Sequence, residues 1–102
     1  MYYTYMLRCK DNSIYTGITT NLNKRIDEHI TKGKKCAKYT LIHTVIGFEA
    51  AWETEGRSSA TKLEYFIKHL SKKQKEDLIN YKENLNELLI NKGINLICKR
   101  VK

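Results

Sequence analysis

The spacing of apolar and polar residues changes several times along the chain, and each change marks a new element. Over Tyr2–Cys9 the residues alternate loosely, with Tyr3, Tyr5, Leu7 and Cys9 on one side and Thr4 and Arg8 on the other. A period of two with aromatic and apolar residues on one side predicts a strand. Lys10-Asp11-Asn12-Ser13 is a polar turn cluster, and residues 14–18 repeat the strand pattern, so the two segments are expected to form an antiparallel hairpin. Gly17 interrupts the second strand, which implies a bulge or a close approach of backbone to a neighbour.

The period then lengthens to that of a helix. Leu22, Ile26 and Ile30 recur every four residues and predict a buried stripe, with Thr20 or Asn21 as N-cap and an end between Thr31 and Gly33. Residues 33–40 read as a basic loop, and a third strand is expected within residues 42–54. Gly56 breaks the chain, and Ser58 or Ser59 is the expected cap of a second helix whose apolar face is Ala60, Leu63, Phe66, Ile67 and Leu70. Ser71-Lys72-Lys73-Gln74 has the spacing of a capping box and starts a third helix through Leu78 and Ile79. Beyond it, Leu85, Leu88 and Leu89 suggest a further helical turn or two, and residues 95–101 a strand or an ordered arm. The expectation is an α+β fold: a three-stranded antiparallel sheet flanked by helices, in the order β-β-α-β-α-α plus a C-terminal tail.

Composition narrows the class. A chain of 102 residues that is 41% hydrophobic supports one modest core and argues against disorder. Residues 1–80 are expected to form the domain, with residues 81–102 an extension packed on it. Lys and Arg exceed Asp and Glu by 19 to 11, a net charge of +8, and that field attracts polyanions, nucleic acid first. No apolar run is long enough to span a membrane, and the first residues lack the charged and apolar regions of a signal peptide. Cys9, Cys36 and Cys98 are odd in number and far apart, which fits a reducing cytoplasm better than a disulfide framework.

Three groups of residues could carry chemistry. Arg25 and His29 lie four apart on the first helix and project from one side of it. A guanidinium there can hold a phosphate and an imidazole can exchange a proton, although two solvated polar residues would show the same spacing. Glu64 falls at the edge of the second helix's apolar face, where a carboxylate needs a partner: Lys68, four residues on, or a metal ion. Tyr2, Tyr3, Tyr5 and Tyr15 crowd the hairpin, and Tyr39 follows in the basic loop. Such rings are ordinarily packing residues, and a phenol acts as a base only when a cation lowers its pKa.

Taken in order, these residues resemble the GIY-YIG nucleases. Tyr3-Thr4-Tyr5 and Tyr15-Thr16-Gly17 stand where the family carries its two naming tripeptides. The first keeps only the tyrosine, and the second keeps the tyrosine and the glycine. The run Tyr15-Thr16-Gly17-Ile18-Thr19-Thr20-Asn21-Leu22 with Arg25 and His29, then Ala37-Lys38-Tyr39-Thr40, Leu63-Glu64 and Ile67-Lys68-His69-Leu70-Ser71, is similar to the small single-domain bacterial branch. The resemblance implies a metal-dependent endonuclease on DNA, structure-dependent or non-specific, of the kind used in repair and recombination. Branched, flapped or damaged forms are the expected substrates, and a partner protein is an open possibility. It implies that Tyr5 and Tyr15 line the site, that Gly17 lets backbone pass close, that Arg25 stabilises the phosphate, and that His29 is an alternative proton acceptor. Tyr39 would position phosphate or water, and Glu64 would hold a single Mg²⁺ or Mn²⁺. Lys34, Lys35, Lys38, Lys68, Lys72 and Lys73 would form a nucleic-acid-binding rim. The alternative is a non-catalytic nucleic-acid-binding module that keeps the fold.

Overall fold

The structure, a computed structural model, describes residues 1–31, 39 and 42–102. Among them the elements are β1 (Tyr2–Cys9), β2 (Ile14–Thr19), α1 (Leu22–Thr31), β3 (Val45–Thr54), α2 (Arg57–Lys68), α3 (Lys72–Ile79), α4 (Leu85–Asn91) and β4 (Lys99–Arg100). The strands form one antiparallel sheet in the order β2-β1-β3-β4. The α+β class and the opening order β-β-α-β-α are those expected. The tail adds a two-residue fourth strand beside β3 and the short helix α4.

Strand alternation divides the interior in two. Tyr5, Leu7 and Cys9 point to the face covered by α1 and pack with Ile26, Val45 and Ala51. Met6 points to the other face and packs with Ala50, Trp52, Leu63, Ile67 and Leu78, together with Leu85, Leu89 and Cys98 from the tail. Thr4, on that same face, donates its hydroxyl hydrogen bond to the Ala60 carbonyl at 3.3 Å and ties β1 to the start of α2.

Polar clamps fix the parts that the core only roughly positions. The Arg8 guanidinium reaches both Glu76 oxygens at 2.5 and 2.6 Å and Glu49 at 3.0 Å, holding α3 and β3 to β1. Such forked ion pairs fix direction as well as distance. Asn86 donates to the Cys98 carbonyl at 2.8 Å and accepts from its amide at 3.1 Å, a side-chain imitation of strand pairing that anchors the tail. Arg100 lies over the rings of Trp52 and Tyr81 and donates to the Leu78 and Ile79 carbonyls at the end of α3.

Local signals met mixed outcomes. Asn21 caps α1, its side chain accepting from the Lys24 amide at 3.1 Å. The capping box at Ser71 is complete, with Gln74 as its partner. The cap of α2 is Gly56 rather than Ser58 or Ser59, with no side-chain bond, so the helix starts as soon as the chain leaves β3. Ile30 is 56% exposed and leaves the predicted stripe of α1, while His29 is fully buried in its place. The Tyr5 hydroxyl gives the buried ring a hydrogen-bond partner at 2.8 Å. Gly17 sits in regular register opposite Tyr5, so the close approach, not the bulge, is what it serves; the irregularities fall between β1 and β3.

Leu89 is fully buried in the larger cluster and its neighbour Ile90 is 71% exposed. Leu89→Ala is expected to destabilise the protein by about 2–5 kcal/mol in urea denaturation. Ile90→Ala should stay within about 0.5 kcal/mol of the parent.

Candidate active site

The hairpin, α1 and α2 meet at the outer edge of β2. Tyr5 faces Gly17 across the β1–β2 ladder, and its ring lies over the glycine. A Cβ on Gly17 would come within 2.5 Å of the Tyr5 hydroxyl, which real Cβ atoms essentially never do, and within a tight 3.1 Å of the Tyr15 ring. The glycine is therefore the space that the Tyr5 phenol occupies. From there the hydroxyl reaches Nε2 of His29 on α1 at 2.8 Å. Tyr15 leans on both, with ring centroids 6.3 Å from Tyr5 and 5.1 Å from His29.

Burial sets the protonation of this group. Burial, with help from the neighbouring Arg25 cation, lowers the His29 pKa to about 4, so the ring is neutral at neutral pH. Burial likewise raises the Tyr5 pKa well above that of a free phenol, and Tyr15 moves in the same direction. Both phenols are therefore protonated at neutral pH, and the Tyr5 O–H is the donor to a neutral His29. Arg25 opposes the shift of both phenols, while the Glu64 carboxylate adds to it. Arg25 also bonds Glu28 at 3.4 Å, one turn along its own helix. Glu64 belongs to α2, on the opposite face of the sheet, yet its charge is felt by both phenols because β2 is an edge strand.

Tyr5, Tyr15, Gly17, Arg25 and His29 are thus brought together, with Glu64 in electrostatic reach. Tyr39 joins from outside, its ring stacked on Tyr15 at 5.7 Å. Among the described residues no group of three or more His, Cys, Asp or Glu could hold a metal by itself. A lone carboxylate is still a fitting seat for a magnesium-like ion, which keeps waters and takes the rest of its shell from substrate phosphate. Glu64 is one-fifth exposed and pairs with Lys68 at 3.5 Å, so an ion binding there would take the place of the Lys68 ammonium.

The lysines divide. Lys34, Lys35 and Lys38 lie outside the described residues. Lys68 stands beside Glu64, and Lys72 donates to the Asn12 carbonyl in the β1–β2 turn. Lys73 is directed to Asp77 at 2.9 Å and is otherwise solvated. Two further residues stand at this edge. His43 bonds Asp11 at 2.7 Å through Nδ1 and stacks on Tyr39 at 4.1 Å, and Lys75 lies close to Lys68 and Lys72.

Two expectations follow. His29 should titrate near pH 4 by NMR. Because its folded pKa lies below the unfolded value of about 6.5, the unfolded chain binds the proton first. Stability should then be full above about pH 6.5 and fall as pH drops toward 4, and His29→Gln should flatten that slope in urea titrations. Gly17→Ala should displace the Tyr5 hydroxyl and break its bond to Nε2, visible as a changed imidazole ¹⁵N spectrum, at an overpacking cost of about 1–3 kcal/mol.

The GIY-YIG catalytic domain model matches residues 1–77. UPF0213 protein FN1575 of Fusobacterium nucleatum is 47% identical over 79 residues, 78% of this chain and 77% of the relative. UPF0213 protein CPE1444 of Clostridium perfringens is 41% identical over 97 residues, 94% of this chain and 100% of the relative. The solution NMR structure of UPF0213 protein BH0048 from Bacillus halodurans is 37% identical, with a TM-score of 0.46 over 80% of this chain and 86% of that one. GIY-YIG nucleases act on DNA and generally use divalent metal ions. The match over residues 1–77 and the identity to these relatives show that this chain belongs to the GIY-YIG family, alongside the small bacterial UPF0213 proteins.

Proposed function

We propose that the protein is an endonuclease that hydrolyses a DNA phosphodiester with one divalent ion, Mg²⁺ or Mn²⁺, on Glu64. The observation that carries this reading is the meeting of the Tyr5–His29 hydrogen bond with Arg25 and Glu64 around Gly17. Hydrolysis builds negative charge on the phosphate oxygens, and Arg25 is a fixed cation placed to offset it. An ion on Glu64 would supply further Lewis-acid stabilisation at the same phosphate.

The protein's own groups handle the proton. Tyr15 is the partly exposed phenol and meets the substrate, whereas Tyr5 and His29 are buried behind it. His29 is the one member in accepting form at neutral pH. A proton released by the attacking water can enter at the phenols and leave through the Tyr5 hydroxyl to His29 Nε2. The negative phosphate, once bound, raises the affinity of the imidazole for that proton. Tyr39 holds Tyr15 in place by stacking. Lys68 and Lys72 offer charge to the DNA backbone, a contact that positions without reading sequence, so structure-dependent or non-specific cutting is the expected mode. Residues 1–80 form the catalytic unit and 81–102 an extension that completes its core through Leu85, Leu89 and Cys98. Repair-type work in the cytoplasm fits this chemistry.

A second reading, a nucleic-acid-binding module without catalysis, draws on the Glu64–Lys68 pair, which occupies the proposed metal seat. One experiment separates the two. Labelled branched, single-stranded and duplex DNA are incubated with the protein in Mg²⁺, Mn²⁺ or EDTA. Cutting should require the ion and fall on the order of 10²–10³-fold in Glu64→Gln and in Arg25→Ala. DNA binding without cutting under every condition supports the second reading.

A further inference from the structure

Two buried hydroxyls have no hydrogen-bond partner among the described residues, those of Thr16 and Thr54. Each residue is only 3% exposed. Burying a hydroxyl without a partner costs stability, so each orphan needs an explanation. Thr54 borders an open cavity of about 430 Å³ beside the tail, lined also by Ser59 and Asn95. Thr16 stands elsewhere, within the candidate active site.

Thr16 lies between Tyr15 and Gly17, at the one position where the second tripeptide departs from the family's. Strand alternation turns its side chain away from the phenols, to the face that α2 covers. Its partner on β1 is Met6, which packs with Leu63 of α2. Two anchors give the course of that helix. Thr4 bonds the Ala60 carbonyl near its start, and Lys72, just past its end, bonds the Asn12 carbonyl in the β1–β2 turn. The helix therefore runs along β1 in the same direction. Glu64 is one turn beyond Ala60, an advance of about 6 Å, and Met6 is two strand residues beyond Thr4, about 6.6 Å. Glu64 thus stands level with Met6 and with its partner Thr16. Helix α2 lies against β2 as well as β1, and the Glu64 charge reaches Tyr15, the neighbour of Thr16.

We infer that Thr16 is a positioning residue of the metal seat, its hydroxyl holding the hydration shell of the ion that Glu64 binds. The inference rests on the nuclease reading and adds a second protein group to it. A magnesium-like ion on one carboxylate keeps most of its waters, and fixed polar groups around those waters tune the site. A threonine hydroxyl offers them two lone pairs and a proton. It is neutral, so unlike a second carboxylate it leaves the charge of the ion for the phosphate. The metal-free protein carries the unsatisfied hydroxyl, and ion binding satisfies it.

The test reads ion binding rather than cutting. Mn²⁺ is titrated into the ¹⁵N-labelled full chain without DNA, and paramagnetic broadening of amide signals around Glu64 gives the binding midpoint. Glu64→Gln should abolish the saturable broadening. Thr16→Val keeps the shape and the strand preference and removes the oxygen. Its midpoint should rise roughly 10–100-fold. Thr16→Ser should bind as the parent does, and so should Thr54→Val, which removes the other orphan. In EDTA, urea denaturation should find Thr16→Val at least as stable as the parent, because a buried unpaired hydroxyl is gone. A parent-like midpoint in Thr16→Val, or an equal shift in Thr54→Val, overturns the role. So does a Thr16→Val protein less stable than the parent in EDTA, which gives the hydroxyl a structural partner instead. The two readings fail separately. Binding lost in Glu64→Gln and unchanged in Thr16→Val keeps the metal seat and removes Thr16 from it. Binding that Thr16→Val weakens, in a protein that cuts no DNA, keeps the seat and removes the hydrolase. A parent without saturable binding removes both.

Discussion

A single hydrogen bond organises the β2 edge of this molecule. The Tyr5 hydroxyl meets His29 only because residue 17 has no side chain, and Tyr5 is held over it by β1–β2 pairing. Burying that phenol and that imidazole together costs solvation, and each meets its need through the other. The result is a neutral, proton-sharing pair beneath a partly exposed tyrosine. Arg25 and Glu64 then set the local field with opposite signs, one favouring charge on the phenols and one opposing it. Losing the glycine, the tyrosine or the histidine disturbs all three.

The sheet accounts for how residues from opposite faces share one place. Tyr5, His29 and Arg25 belong to the side of α1, and Glu64 to the side of α2. They meet because β2 is an edge strand, around which side chains from both layers can approach. Arg8, clamped to Glu49 and Glu76, holds α3 against the sheet and so fixes the lysines at its start.

Much of this was legible in the residues, and the failures have physical reasons. Alternation over Tyr2–Cys9, the cap at Asn21 and the box at Ser71 are local features, and local chemistry decided them. The stripe of α1 misled at its last turn because spacing favours an isoleucine over a histidine. Tertiary structure buried His29 instead, since Tyr5 offered it a hydrogen-bond partner. Periodicity placed Glu64 at the margin of the apolar face but could not choose between Lys68 and an ion, and the geometry pairs it with the Lys68 ammonium at 3.5 Å. The contacts of His43 were not legible because its partners, Asp11 and Tyr39, come from two separate segments. The strand or arm expected over residues 95–101 is a two-residue fourth strand, its place set by register against β3 and by Asn86.

The position of β1 in the middle of the sheet has a bearing on how the molecule comes into being. Tyr5 is flanked by Gly17 on one side and by Ala51 on the other. The first neighbour is reached by closing a short hairpin, the second only after a much longer excursion of chain, which is entropically dearer and slower. The phenols, guanidinium and imidazole all reside in the early, nearby portion, whereas the carboxylate arrives with the distant portion. A half-formed molecule thus holds the phenols, guanidinium and imidazole without the carboxylate, and the cluster is complete only when the final topology closes.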